Sequence, residues 1–423
     1  MHIFLSLLLA LSLTSSYAST VETITFEGLT LTKESYLRKL ISIHEGDTFE
    51  QKHLDDDLFL LRNLNLFFSV ASEVNEIDSE RLTVVFIIRE ANYFYPIFSI
   101  SGFKNQLKLQ AGANHINFLG KAQSFGALYQ FYDRHSFSIF HSAKRHSNNR
   151  TGHVVALSKY STVEPLYFPS DTNALMDTVG FFDFDNYSVA LAASYWLRQY
   201  LNIGLGGSFM YENYHSRDEA FAEYSMMDFS FFKHQLHSSL NFTKIENTFE
   251  RKQGSTGMIY GEWIHTYTED APSFMKLLLE CSWHKLVGER GNLSSRAQFG
   301  LSTNNFSPFA PFVLDGLINV RGIGNRVERG TASLVLNTEY RHTFWKHDYV
   351  TVQAAGFVDY GTLRTPGDDF EDFLTRDEQN IFTGIGIRAH LNVFYKISLR
   401  IDYSINPTDI TQRGFTFGFG QFF

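Results

Sequence analysis

From about residue 107 onward, polar and apolar residues alternate with a period of two, segment after segment. The plainest case is "YKISLRIDY". Tyr395, Ile397, Leu399, Ile401 and Tyr403 share one side, and Lys396, Ser398, Arg400 and Asp402 share the other. In "IFTGIGIRAHL", Ile381, Ile385, Ile387 and Leu391 oppose Arg388 and His390; in "MKLLLECSW", Met275, Leu277, Leu279, Cys281 and Trp283 oppose Lys276, Glu280 and Ser282. Sixteen such segments are legible: near 107–115, 122–132, 136–143, 151–161, 173–183, 187–197, 201–212 and 223–245, then 255–265, 274–284, 293–302, 332–344, 349–360, 381–391, 395–404 and 413–423. Helical periodicity is absent from this region.

Residues 21–91 follow a different rhythm. "VETITFEG" alternates and stops at Gly28, whereas "KESYLRKLIS" and "FEQKHLDDDLFLLRNL" space apolar residues helically, as at Leu54, Leu58, Leu61 and Leu64. "FFSVASEV" and "RLTVVFIIREA" then read as strands joined by the polar turn "NEIDSE". The β-α-α-β-β order predicts a small α+β domain with two helices on one face of a sheet.

Alternation alone also fits a soluble sandwich, with one face in the core and one in water. Composition separates the two. The chain holds 42 Phe and 21 Tyr and is 16% aromatic, yet its mean hydropathy is slightly negative. That combination predicts a transmembrane β-barrel, whose lipid face and aromatic rims are balanced by a polar lumen. The first 18 residues read as a secretory signal: the apolar run 3–13 is too short to span a bilayer, and Ser16 and Ala18 suit cleavage. Beyond them no run of 18 apolar residues occurs, which excludes a helical membrane protein. With the amino-terminal domain in the periplasm and the first strand running outward, "LRQY", "KLVGERGN", "FWKHDY" and "LNVFY" become short inner turns, and 303–331 and 361–380 long outer loops. A lone Cys281 gives no disulfide framework, and a net charge of −9 gives no reason to expect nucleic acid.

One stretch stands out chemically. "VRGIGNRVERG" (320–330) sets Arg321 between Val320 and Gly322 in a long, mostly apolar loop. This tip resembles the V-R-G-[FY] motif of the BamA-like superfamily of outer-membrane insertases and translocators (the bacterial surface antigen family), with Ile323 in place of the usual aromatic. "GFVDYG" (356–361), with Phe357, Asp359 and Gly361, resembles that family's F-x-D-x-G strand motif. Residues 21–91 resemble one POTRA domain through its Gly, "G-D-x-F", "L-x-x-D" and "L-F-x-V" positions. These features stand in the family's order and cover nearly the whole chain after the signal. The fold this implies is a 16-stranded barrel (92–423) with a re-entrant loop 303–331, preceded by a single POTRA domain (21–91). "TFGFGQFF" at the end, with Phe415, Phe417, Phe419 and Phe423 on one face, resembles the carboxy-terminal strand signal by which outer-membrane barrels are themselves recognised for assembly; Gln421 departs from its apolar pattern.

The residues fit that expectation. Val350, Val352, Ala354, Val358 and Tyr360 form a lipid face, so Gln353 and Asp359 point into the lumen; Leu334, Leu336 and Tyr340 leave Asn337, Glu339 and Arg341 inward. A loop folded into the barrel would set the Arg321 guanidinium fork against Asp359, with Glu339 within reach and Gly322 and Gly324 supplying the sharp turn. The alternative is a solvated arginine in an extracellular loop.

Other constellations are weak. His141 and His146 flank what reads as an outer loop, without Cys or paired carboxylates to complete a metal set. No G-x-S-x-G elbow is present, and "GIGNRVERG" and "GIGIRAH" do not lead a strand into a helix, which disfavours phosphate binding. No catalytic residue, metal or cofactor is expected. The resemblance implies an assembly factor that inserts or translocates unfolded outer-membrane or secreted client chains, with periplasmic accessory proteins and the lipid bilayer as partners. Clients would pair with the edge "FFSVASEV" and then with a barrel seam between "LKLQAGANHI" and "GFTFGFGQFF". A secretion pore for one partner protein, a passive porin and an outer-membrane enzyme are the competing readings.

Overall fold

The computed structural model describes residues 19–101, 107–146, 150–169, 176–217, 228–247, 250–268, 273–305, 310–324, 328–371, 373, 379–391 and 398–423. The signal-like segment 1–18 lies outside them.

The amino-terminal domain runs β1 (Thr20–Glu27), α1 (Glu34–Leu37), α2 (Gln51–Asn63), β2 (Phe67–Glu76) and β3 (Arg81–Glu90). Its sheet has the order β1-β3-β2, with β1 parallel and β2 antiparallel to β3, so β2 lies at an edge. The helical spacing of Leu54, Leu58 and Leu61 turns one face of α2 onto the sheet, where these residues join Val21, Ile24, Leu37, Val84 and Phe86 in one apolar core. The first helix is a single turn, shorter than "KESYLRKLIS" suggests.

The barrel begins with β4 (Phe94–Ser101), β5 (Lys108–Phe118), β6 (Gln123–Tyr132) and β7 (Arg134–Ala143). The longest strands follow, β8 (Thr151–Pro169), β9 (Met176–Arg198), β10 (Leu201–Ser216) and β11 (Phe229–Asn247). Then come β12 (Lys252–Thr266), β13 (Phe274–Val287) and β14 (Gly291–Ser302). The re-entrant hairpin β15 (Phe312–Leu314) and β16 (Glu328–Gly330) interrupts the wall, which resumes with β17 (Ala332–Lys346), β18 (Val350–Arg364), β19 (Asn380–Leu391), β20 (Ser398–Ile405) and β21 (Arg413–Phe419). The sixteen wall strands close into a barrel, β21 pairing with β4. Outward side chains such as Ile385 (70% exposed), Phe209 (72%) and Leu205 (64%) are those of a surface that faces lipid.

Sixteen strands were expected, but two of their placements change. The first wall strand is Phe94–Ser101, not 107–115; it contains Pro96, which reads against a strand. Segments 173–183 and 187–197 form one continuous strand, β9. The polar run Asp183, Asp185 and Asn186 imitates a turn, but these side chains bond sideways to Arg134 and Glu212 on other strands. Consequently β5 to β8 run opposite to expectation. The turn at 119–122 and residues 144–146 sit at the end carrying the amino-terminal domain, not at the far end. Both touch that domain: Lys33 N donates to the Gly120 carbonyl at 2.9 Å, Asn117 Nδ2 to Thr32 Oγ1 at 2.9 Å, and the Tyr36 hydroxyl to the Arg145 carbonyl at 3.0 Å.

Candidate functional site

Between β14 and β17 the chain folds back into the lumen. The hairpin pairs Phe312 with Gly330 and Leu314 with Glu328, and Leu314 and Val320 are fully buried in a small apolar cluster with Val335, Leu363 and Phe382, against which Ile323 packs. Asp315 then winds 315–321 into a compact block. Its carbonyl accepts the amides of Ile318 (3.2 Å), Asn319 (3.0 Å) and Val320 (3.2 Å), and its Oδ1 accepts Leu317 N at 2.8 Å. Asn319 Nδ2 reaches back to the Val313 carbonyl at 2.8 Å. The wall holds this block: Asn337 Nδ2 donates to the Asn319 carbonyl at 2.8 Å and Arg296 to that of Ile318 at 3.1 Å.

Arg321 ends the block with no solvent exposure. Its backbone N donates to Asp359 Oδ2 at 3.0 Å, Nε to the same oxygen at 2.7 Å, and Nη2 to Oδ1 at 2.9 Å, the forked geometry that a planar guanidinium and a carboxylate share. Nη1 donates to Glu339 and lies 3.8 Å from Asp402. The guanidinium is sandwiched by the rings of Phe357 (3.5 Å) and Phe422 (4.4 Å), so both faces carry cation–π contacts. Gly322 follows at φ 91°, a conformation costly for a side chain, and lies against Phe382, Ser404 and Gly414. At Gly361 a Cβ would come within 2.6 Å of Val320, so the bare backbone makes room for the loop.

The structure therefore brings together Val320, Arg321, Gly322, Ile323, Glu339, Phe357, Asp359 and Gly361. It adds partners that sequence reasoning did not assign. Arg388 donates to Glu339 at 2.9 Å and to Asp402 at 2.6 Å, so Arg321 shares its acids with a second arginine. Arg341 and Arg400 stand 3.6 Å from Glu339 and 3.5 Å from Asp402. Alternation puts Arg388, Arg400 and Asp402 on polar faces; the register of the neighbouring strands β17 to β20 was the missing information.

The carboxy-terminal pattern is only partly strand. The ladder stops at Phe419; Gly420, at φ 82°, turns the chain inward while its N–H bonds the Ser398 carbonyl at 2.7 Å. Phe423 thus leaves the lipid face that Phe415 (56% exposed) occupies; its ring lies 5.3 Å from Arg296, and Lys252 Nζ reaches its carbonyl at 3.3 Å.

The seam also differs from expectation. It joins β21 to β4 instead of to 107–115, and pairs only Thr416 with Ser101, Phe417 with Ile100 and Gly418 with Ser99 among the described residues. On the outer face Phe98 meets Phe417 and Phe419 edge-on at 6.1 and 6.5 Å. Beside the inward-turned tail, Tyr95, Pro96, Ile97 and Phe98 line a cavity of about 390 Å³ with Leu317, Arg400 and Phe422.

His141 and His146 flank a turn at the domain end and are bridged by His153, which lies 2.9 Å from each. Among the described residues, no group of three or more His, Cys, Asp or Glu is placed to hold a metal ion.

Comparison with known proteins matches this architecture. Among solved structures, BamA of Haemophilus ducreyi lacking POTRA domains 1–3 aligns with a TM-score of 0.57 at 14% identity, covering 95% of this chain and 84% of that one. CdiB from Acinetobacter baumannii aligns at 0.61 and 12% identity, covering 96% and 74%. CdiB from Escherichia coli aligns at 0.63 and 13% identity, covering 96% and 76%. At these identities the likeness is one of fold. No curated protein sequence matches. Residues 19–91 match the POTRA family, described as surface antigen variable number repeat. Residues 117–423 match the Omp85 superfamily domain, and on that match, which spans most of the chain, the protein belongs to the Omp85 superfamily.

Proposed function

We propose that this protein is an outer-membrane assembly factor: its POTRA domain captures unfolded client chains in the periplasm, and the barrel seam delivers them into the membrane. A closed sixteen-stranded barrel of this superfamily implies a bacterial outer membrane. The observation that carries the reading is the seam between β21 and β4, whose ladder stops at Gly418–Ser99 and leaves Phe94–Phe98 paired only with β5 among the described residues, beside a lumenal loop held by Arg321. Among the described residues every other wall pairing is longer; β20 and β21, for example, pair continuously from Leu399–Phe419 to Ile405–Arg413. A short seam is the cheapest place to expose unpaired backbone to a nascent strand, which meets a prohibitive cost when it enters lipid alone. At the periplasmic end, the exposed edge β2 offers main-chain groups to an extended client with little demand on its sequence.

A lumen filled by buried Leu314, Val320 and Arg321 favours delivery through the seam over passage down the middle, and counts against a passive porin. A secretion pore for one partner protein would require the block to leave the lumen. Reconstitution in liposomes with unfolded barrel substrates tests the reading. Folded, protease-resistant product should exceed that from empty liposomes, and removal of residues 21–91 should abolish the excess while leaving a heat-modifiable barrel. Equal yield with and without the protein would sink the proposal.

A further inference from the structure

Arg321 ties the re-entrant block to one flank of the seam; a second buried ion pair ties the same block to the other. Lys108, the first residue of β5, is 3% exposed, and its Nζ lies 3.0 Å from Asp315 Oδ2, an aspartate with no exposure. The register shows what this pair spans. Asp402 on β20 pairs with Thr416 on β21, Thr416 with Ser101 on β4, and Ser101 with Lys108 on β5. These four residues form one row across the wall, with the seam at its centre. At normal strand spacing its ends stand about 14 Å apart. Arg321 contacts the Asp402 end at 3.8 Å, and Asp315 contacts the Lys108 end. The rigid turn 315–321 therefore bridges the seam from inside.

The two ties are unequal. Arg321 is held by three bonds to Asp359, one to Glu339 and two aromatic faces. Lys108 makes one contact, and an ammonium is a point charge without fork geometry. Asp315 also keeps a bond from Leu317 N at 2.8 Å if Lys108 leaves.

We propose that Lys108 and Asp315 are positioning residues that latch the re-entrant block to the β5 flank, and that the seam opens by release of this pair while Arg321 keeps the block on the β17–β20 flank. The inference rests on the seam being the working element, as in the proposed function. Its test needs no client, so the two ideas fail separately.

In a Cys281→Ala background, the opposed pair Ile100→Cys and Phe417→Cys reports seam closure through its rate of disulfide formation in liposomes. Adding Lys108→Gln should slow that rate about tenfold and raise ion conductance, because removing one partner of a buried pair strands the other. Lys108→Arg should retain most of the rate, since it keeps the charge and leaves Asp315 in place to accept Leu317 N. If Lys108→Gln does not give a heat-modifiable barrel, Asp315→Asn carries the same comparison. A wild-type crosslinking rate in Lys108→Gln, or a rate in Lys108→Arg as slow as in Lys108→Gln, would overturn the latch.

Discussion

The amino-terminal domain and the barrel bury opposite kinds of residue. The domain's largest fully buried side chains are Phe86, Ile24, Leu37, Leu40, Leu54, Leu61 and Leu66; in the barrel the three largest are Arg321, Arg341 and Arg388. The domain excludes water from an apolar centre, and its buried polar side chains Thr32 and Asp57 are hydrogen-bonded. The barrel gives its apolar side chains to lipid and must satisfy the charges that alternation sends inward. An apolar core tolerates imperfect partners, whereas a buried charge needs a specific one. Sequence-specific geometry is therefore expected where the arginines lie, and a substitution there should act on function before it acts on the fold.

Arg321→Ala should have the largest effect. It leaves Asp359 and Glu339 without their central cation, at a cost of about 3–5 kcal/mol for a broken buried pair. Client assembly in liposomes should fall to near background and leak conductance should rise, with barrel abundance roughly retained. Arg321→Lys should rescue little, since an ammonium cannot span both Asp359 oxygens while lying between Phe357 and Phe422. Wild-type assembly and conductance in the alanine variant would remove Arg321 from the mechanism.

The domain's counterpart is Asp57 on α2, 1% exposed, which accepts Ser42 N at 2.7 Å, Ser42 Oγ at 2.9 Å and Ile43 N at 3.0 Å. These bonds fix the segment after α1 to α2. Asp57→Ala should destabilise the domain by about 3 kcal/mol, because buried amides lose an ionised acceptor. Limited proteolysis of the full chain should then cut within the domain while the barrel band persists; an uncut domain would show that the apolar core alone suffices.

These two sites were not equally legible. Leu54, Leu58 and Leu61 announce a helix face by spacing alone, and the β-α-α-β-β order follows. The barrel alternation likewise told which residues face inward, among them Glu339, Asp359, Arg388 and Asp402. It could not tell that Arg388 and Arg321 would share Glu339 and Asp402, because such meetings depend on the register between the neighbouring strands β17 to β20 and on where the re-entrant loop enters, which alternation leaves open. The strand beginning at Phe94 was hidden by Pro96, a residue without an N–H to donate. A proline is tolerated there because β4 borders the seam, where Tyr95 to Phe98 pair only with β5 among the described residues. The feature that obscured the strand is thus a mark of the seam itself. Lys108 was read as a seam residue, and the structure moves it one strand away, onto the flank that the latch would grip.

The smallest expected effect is at the junction of the two regions. Glu90, the last residue of β3, accepts hydrogen bonds from Leu31 N at 2.9 Å, Thr32 N at 2.8 Å and the Thr30 hydroxyl, shaping the 30–32 turn that meets the barrel at Asn117 and Gly120. Burial pushes its carboxyl up, but the hydrogen bonds from Thr30, Thr32 and Leu31 outweigh that and hold it at about 2, well below the usual glutamate range. A depressed carboxylate contributes stability that is fully present above its unfolded value and is lost as pH falls through its folded one. Docking of the domain should therefore be insensitive to pH above about 5 and weaken progressively below it. Glu90→Gln should remove this acid sensitivity and weaken docking modestly at neutral pH, since the group is only partly buried and solvent screens it. Hydrogen exchange at the 30–32 amides in the full chain reads both effects. Protection that falls with acid equally in wild type and Glu90→Gln would assign the sensitivity to another group and leave this carboxylate no part in joining domain to barrel.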